Sequence, residues 1–299
     1  MKHHYDILAI DLDGTLLRSD GSVSEVNCRA LHDARDAGVR VVVCTGRGWA
    51  ECRSILKTIE QIDPVVVAGG SIIARGDSGA TLHRFAMDET LVRHAVAAVN
   101  GDGHTALVLK DPDAAKYEYL VVRGVGKRES ALDPVTKWWF EEMKVRVRVV
   151  EHLDEDEHPE HTVRVGACAP SRRLKQLAQA LESVASGRGV VHHFPAVVAP
   201  EHARTGDEDG VMHVLELFDV DATKWSGISH LAKQWQVTPG RIAAIGDQIN
   251  DESMIAGAGL GIAMGNAVPA IKDIAKRQTL TNSEDGVAHA VRAILDGTW

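Results

Sequence analysis

The chain is 299 residues long, which suits about two domains of ~150 residues, each with its own buried core. A composition of 44% apolar and 25% charged residues excludes disordered, collagen-like and disulfide-scaffold classes. Lys and Arg total 33 against 42 Asp and Glu, a formal charge of −9, so no nucleic-acid partner is expected. No apolar run approaches the ~18 residues of a membrane span, so no membrane partner is expected either. The N-terminal Met1-Lys2-His3-His4-Tyr5-Asp6 meets an acidic residue too early for a secretory signal. Cys28, Cys44, Cys52 and Cys168 form no CxxC pair, and a reduced, cytoplasmic setting is expected.

Along the chain, the apolar run Tyr5–Ile10 stops at Asp11 and reads as a strand buried on both faces. A helix is predicted from about Ser24 to Ala37, with Ser24 as its N-cap, Ala30, Leu31 and Ala34 as its apolar stripe, and Gly38 as its end. Val39–Cys44 is a second buried strand, Trp49–Ile59 a helix and Val65–Ala68 a third strand. This alternation predicts an α/β fold with a doubly wound, Rossmann-like parallel sheet.

From about Met87 to Val220 the segments are shorter and more charged. Met87–Asn100 and Ser171–Ser186 read as helices. Thr105–Leu109, Glu118–Val122, Val145–Val150, Thr162–Cys168, Val190–Phe194 and Val211–Leu217 read as strands, which together suggest an α+β module. The first pattern then resumes with a helix at Lys224–Gln236, a strand at Ile242–Ile245, a helix at 250–257, a strand at Leu260–Ala263 and a closing helix at 285–295. The second domain is therefore expected as an insertion in the first. Glu151–His161 holds six acidic residues with His152, His158 and His161, and it reads as a solvated loop, with metal binding as the alternative.

Four segments follow predicted strands, at the edge where open α/β sheets place their ligands. Asp11-Leu12-Asp13-Gly14-Thr15-Leu16 puts two carboxylates one residue apart, and the Asp-Gly break lets the chain turn so that both approach one site. Cys44-Thr45-Gly46-Arg47 offers a hydroxyl and an amide to an anion. Thr223-Lys224-Trp225-Ser226-Gly227 brings a cation to a helix start, and Gly246-Asp247-Gln248-Ile249-Asn250-Asp251 adds two carboxylates and an amide. Each alone also reads as ordinary turn, cap or surface chemistry.

In this order, the four segments resemble the motifs of the haloacid dehalogenase-like superfamily of phosphotransferases, and Ala263–Ala267 with Thr281–Ala288 resembles its Cof-type branch. The resemblance implies a catalytic core at 1–86 and 220–299, with an α/β cap inserted at 87–219. It further implies a Mg²⁺-dependent phosphatase of a small phosphorylated metabolite, acting through an aspartyl-phosphate. By the same resemblance Asp11 is the nucleophile, and Asp13 protonates the leaving group and then deprotonates water. Mg²⁺ would be held by the Asp11 and Asp247 carboxylates and the Asp13 backbone carbonyl, with Asp251 supporting them by hydrogen bonds. Lys224 would lower the repulsion between Asp11 and the phosphoryl oxygens, which Thr45, the Gly46 amide and Asn250 would also bind.

Trp225 and Ala68-Gly69-Gly70 depart from the branch's usual glycine and Asn-Gly-Ala, and the Pro195–Gly210 and His213–Leu217 stretches read as longer than usual. The cap is rich in Arg and His (Arg123, Arg128, Arg146, Arg148, Arg164, His192 and His193); most of these are expected to be solvated, and which of them face the substrate stays open. Two other readings stay open: a phosphomutase on the same fold, and a non-enzymatic phospho-acceptor like a receiver domain. The length of the chain and the presence of Asp13 argue against the second.

Overall fold

The computed structural model describes residues 4–124, 132–196 and 211–299; Arg128 and positions 197–210 lie outside them. The chain forms two compact units, Met1–His83 with Ala222–Trp299, and Arg84–Asp221. No helix among the described residues is long and apolar enough to cross a membrane.

The first unit begins with β1 (Ile7–Ile10), α1 (Glu25–Asp36), β2 (Arg40–Val43), α2 (Trp49–Thr58), β3 (Val65–Val67), β4 (Ile72–Ala74) and β5 (Thr81–Arg84). The second unit supplies α3 (Glu89–Gly101), β6 (Ala106–Lys110), α4 (Pro112–Ala115), β7 (Tyr119–Val122), α5 (Pro134–Glu142), β8 (Val147–Val150), β9 (Thr162–Pro170), α6 (Ser171–Ala185), β10 (Gly189–Pro195) and β11 (Met212–Asp219). The first unit then closes with α7 (Lys224–Gln234), β12 (Ile242–Gly246), α8 (Glu252–Gly257), β13 (Leu260–Ala263), α9 (Pro269–Ile274), β14 (Arg277–Gln278) and α10 (Gly286–Leu295).

Its main sheet is parallel throughout, in the order β14-β13-β12-β1-β2. Every residue of β1, β12 and β13 is buried, which is why these strands read as unbroken apolar runs rather than alternating ones. Ser24 caps α1, its hydroxyl accepting the Asn27 N–H at 3.0 Å, and Ala30, Leu31 and Ala34 are buried. Strand order turns at β1: β2 follows it on one side, while β12 lies on the other. That is the switch point at which doubly wound sheets open a crevice. The register Ile10↔Ile245 sets the residues after β1 beside those after β12.

β3 departs from the simple alternation. It touches the main sheet through the single parallel bridge Cys44↔Val66 and pairs instead in a three-stranded β3-β4-β5 sheet. The cause is the turn Ala68-Gly69-Gly70, with φ of 52°, 71° and 117°, which reverses the chain so that β4 runs antiparallel to β3.

The second unit is a six-stranded sheet in the order β10-β11-β9-β6-β7-β8, antiparallel except for β7 with β8. Leu91, Val92, Ala95 and Val99 of α3, and Leu174, Leu177 and Leu181 of α6, bury against Val108, Leu120, Val165 and Leu217 of the sheet. α5 is legible afterwards from Asp133-Pro134: the Asp133 carboxylate accepts the Thr136 N–H at 2.9 Å, and proline suits the first helical position.

Gly70 explains one departure noted above. A Cβ there would overlap the Thr223 carbonyl and lie 2.7 Å from the Lys224 nitrogen, so two backbones meet where α7 begins. Gly70→Ala is expected to cost about 2–5 kcal/mol, from left-handed strain plus overpacking. Gly240→Ala, with open space around its Cβ, is expected to be near neutral. Urea unfolding of both variants checks this, and equal midpoints would show that the Gly70 contact is slack.

Candidate active site

Asp11 follows β1 with its N–H donated to the Ile245 carbonyl of β12 at 3.1 Å. Residues 12–16 then form one wide turn, closed by the Leu17 N–H donating to the Leu12 carbonyl at 2.8 Å. The turn depends on Gly14: its φ is +78°, and a Cβ there would overlap the Asp247 carboxylate. Thr15 Oγ1 donates to Asp247 Oδ1 at 2.9 Å. Asp11 and Asp247 are therefore brought together by adjacent strands and a turn that packs against both.

Lys224 opens α7, which Thr223 caps by accepting the Ser226 N–H at 3.0 Å. The lysine is 1% exposed, and its Nζ donates to Asp11 Oδ1 and Asp251 Oδ1, each at 2.5 Å. An ammonium has three N–H donors, so one remains without a partner among the described residues. Asp251 Oδ2 accepts the N–H groups of Asp247 and Gln248, at 2.8 and 3.0 Å. Both Asp251 oxygens are thus committed to positioning. Trp225, the other departure, lays its indole against Gly257 and so packs α7 on α8.

Oxygens of Asp11, Asp247 and Asp251 all lie within 4.8 Å of one another, and the three residues are buried. With all three ionised, Lys224 leaves two negative charges uncompensated. Burial and the neighbouring Asp251 push the Asp11 carboxyl well up from its ordinary range, with Lys224 pulling the other way. Burial likewise lifts Asp247 to about 6, against the Thr15 hydrogen bond that favours its charged form. Burial opposes the charge of Lys224, but Asp11 and Asp251 together hold its ammonium above the ordinary lysine value. Such a surplus of buried carboxylate oxygen fits a hard dication that prefers oxygen ligands.

The remaining residues singled out by the sequence lie around this cluster in different ways. Asp13 turns away from it. Its half-exposed carboxylate takes a bidentate pair from Arg47, Nε to Oδ2 at 2.8 Å and Nη2 to Oδ1 at 2.6 Å. Thr45 is fully buried and its Oγ1 accepts the Arg47 N–H at 3.1 Å, which leaves its hydroxyl hydrogen to donate elsewhere. Gly46 is half-buried, and Asn250 stands exposed on the turn Ile249–Asp251.

Reading the motifs did not assign roles to Arg47, Thr15, Asn266 or Asn282. Asn266 Nδ2 donates to the Gly14 carbonyl at 2.8 Å while its Oδ1 accepts the Asn282 N–H at 2.9 Å; Asn282 Nδ2 donates to the Leu17 carbonyl at 2.8 Å. These two amides strap the Asp11–Leu17 turn from outside. Their signal was present in Ala263–Ala267 and Thr281–Ala288, but a contact spanning 252 residues has no local signature.

Of the cap candidates, Arg146 pairs with Glu118, Arg148 with Glu157 and Arg164 with Glu216. His193 shares a 3.0 Å hydrogen bond with His213, and the His192 ring lies against Phe218.

The sequence profile of haloacid dehalogenase-like hydrolases matches residues 8–291. The chain is 30% identical to the phosphatase YwpJ of Bacillus subtilis, over 97% of this chain and 99% of that protein. It is 26% identical to the 5-amino-6-(5-phospho-D-ribitylamino)uracil phosphatase YwtE of the same organism, covering 98% and 99%. A crystal structure of a haloacid dehalogenase-like hydrolase from Bacteroides thetaiotaomicron superposes with a TM-score of 0.76 at 25% identity, covering 97% of this chain and 99% of the other.

A raised carboxyl binds its proton more tightly in the fold than in the unfolded chain. The Asp247 contribution to stability is therefore complete below its ordinary value of 3.8 and is lost as pH rises through about 6. Above that pH the metal-free protein buries an uncompensated charge, and Mg²⁺ should relieve it. Saturating Mg²⁺ is expected to raise the melting temperature by several degrees at pH 7.5, and by much less at pH 5, where protons compete for the same oxygens. Equal shifts at both pH values, measured by scanning calorimetry, would show that Asp247 does not face the cation.

Proposed function

This chain belongs to the haloacid dehalogenase-like hydrolase family and is a phosphatase, and from that premise we propose that it hydrolyses a small phosphorylated metabolite through an aspartyl-phosphate on Asp11. What carries the proposal is the placement of Lys224. It fixes one oxygen of Asp11 at 2.5 Å and leaves Oδ2 without a hydrogen-bond partner among the described residues, as an attacking atom needs.

A phosphomonoester repels nucleophiles by its charge, so catalysis is mainly positioning and neutralisation. The cofactor in this proposal is Mg²⁺, held by the Asp11 and Asp247 carboxylates and the Asp13 carbonyl, and when bound it offsets the negative charge of the phosphoryl oxygens. Lys224 turns its unpartnered N–H toward those oxygens, and the Thr45 hydroxyl, the Gly46 amide and the Asn250 amide add neutral donors. Asp11 Oδ2 attacks phosphorus and the bond to the ester oxygen breaks. Asp13, having left Arg47 and taken up a proton from solvent, gives that oxygen its proton. The carboxylate left on Asp13 then takes a proton from water, whose oxygen attacks the aspartyl-phosphate and releases inorganic phosphate with Asp11 restored.

Asp13 must leave Arg47 to do this. A partly exposed ion pair is worth about 1 kcal/mol or less, so its release adds little to the barrier. The inserted unit Arg84–Asp221 is assigned in this proposal the role of the family's cap domain. For the substrate class, a primary alkyl phosphate is the best-supported choice, since the name of the relative YwtE carries a 5-phosphoribityl group.

Two sets of variants test the mechanism. Asp11→Asn should abolish turnover and leave no acid-trappable phosphoenzyme, and Lys224→Met should lower kcat by several orders of magnitude. Asp13→Asn should lose most on an alkyl phosphate, whose alkoxide needs a proton, and less on p-nitrophenyl phosphate, where trapped phosphoenzyme should accumulate. Equal losses on both substrates with nothing trapped would remove Asp13 from proton transfer.

A further inference from the structure

A second cluster of metal-ligating side chains lies in the other unit, on the acidic, histidine-rich stretch before β9. We propose that His158, Glu160 and His161 form a binding site for a borderline transition-metal dication, Zn²⁺ above all. The proposal is independent of the phosphatase chemistry.

The backbone places these ligands on one edge. Pro159–His161 forms a single 3₁₀ turn, and at three residues per turn the side chains at i and i+3 eclipse. The rings of His158 and His161 accordingly lie 5.8 Å apart and within 20° of parallel. Glu160 Oε1 stands 3.2 Å from His161 Nε2, and one ligand atom from each of the three residues lies within 4.8 Å of the others. Bonds of 2.0–2.2 Å need these atoms about 4 Å apart or less, which rotation of the exposed Glu160 and half-buried His158 side chains supplies.

The other ring nitrogen of His161, Nδ1, is buried with no hydrogen-bond partner among the described residues, so the Nε2 that faces Glu160 is the ring's ligand atom. A buried nitrogen left unpaired costs free energy in the free protein.

The scaffold under the ligands is rigid. The His158 N–H donates to Asp156 Oδ1 at 3.0 Å, and its carbonyl accepts from Lys110 Nζ at 3.1 Å. The His161 N–H donates to the His158 carbonyl at 3.0 Å, and its own carbonyl accepts the Asp111 N–H at 2.8 Å. Proline between the histidines fixes φ. The backbones of the two ligating histidines are thus held before any metal arrives, which lowers part of the entropy cost of binding. The neighbouring cations do not repel a metal unopposed: Lys110 is paired with Asp156, Arg148 with Glu157 and Arg93 with Asp154.

Ligand chemistry selects the ion. Two imidazoles and one carboxylate suit Zn²⁺, whereas Mg²⁺ and Ca²⁺ require all-oxygen sets like the one in the first unit. Bound there, the metal would clip the 151–161 stretch onto β6 through the Lys110 and Asp111 contacts.

The experiment is calorimetric titration of the full-length protein with ZnCl₂ in the presence of saturating Mg²⁺. One Zn²⁺ per chain is expected, with affinity reduced at least about tenfold in Glu160→Gln and more in His161→Ala. Glu160 is exposed, so its variant tests the site without risk to folding. A His193→Ala/His213→Ala variant should bind like the parent, and Co²⁺ should give visible ligand-field bands that vanish in His158→Ala. Unchanged affinity in Glu160→Gln and His161→Ala, or no saturable binding, overturns the proposal. So does loss of binding in the His193/His213 variant, which would put the metal on that pair instead.

Discussion

The first unit depends on one buried ammonium. Lys224 holds Asp11 and Asp251 at 2.5 Å each, and Asp11 is 213 residues away in the chain. Taking these charges out of water costs several kcal/mol per ion, and removing one partner of such a pair costs about 3–5 kcal/mol. Well-packed apolar side chains of the same volume would stabilise the fold at least as well. The cluster is therefore an expense that stability alone does not explain, and its retention is an argument for chemistry. It also means that the two halves of the first unit must come together before the site exists, since neither half contains both the lysine and the first aspartate.

Two aspartates separated by one leucine end in opposite environments. Asp11 is 4% exposed, fixed by Lys224 and shifted upward by burial. Asp13 is half-exposed and held by Arg47, with no backbone donor on its carboxylate among the described residues. The turn that separates them is anchored at Thr15, Gly14 and Leu17 by Asp247, Asn266 and Asn282. A rigid turn with one fixed carboxylate and one movable one is what a nucleophile and a proton carrier require. Pairs of titratable groups whose environments diverge are a general sign of divided acid and base roles.

The parts legible in the sequence are those with a local physical cause. Strands β1, β12 and β13 show as apolar runs because both faces are buried, and α1 shows because its cap and stripe are contiguous. β14 escapes notice because it is two exposed residues whose strand character comes from pairing with β13. The β4-β5 hairpin escapes because a glycine turn redirects β3 by contact with the start of α7, a partner more than 150 residues away. Among the site residues, the carboxylates and Lys224 sit on strand ends and a helix start that pattern reading can locate. The grip of Arg47 on Asp13 and the two asparagine straps depend on side-chain geometry across the fold. Spacing carries no trace of them.

A second buried lysine shows why burial of a charge does not by itself mark a site. Lys110 is as inaccessible as Lys224, but its Nζ donates to Asp156, to Thr162 Oγ1 at 2.7 Å and to the His158 carbonyl at 3.1 Å. Three N–H donors meet three acceptors and one positive charge meets one negative, so nothing is left over for a ligand. Burial pulls its ammonium below the ordinary lysine value, Asp156 opposing. Lys224 shifts the other way because it lies among a surplus of carboxylates, with one donor unpartnered. One lysine closes a hydrogen-bond account and holds a loop. The other leaves both charge and donor capacity open, and that remainder, rather than burial, is what a phosphoryl group and its cation can use.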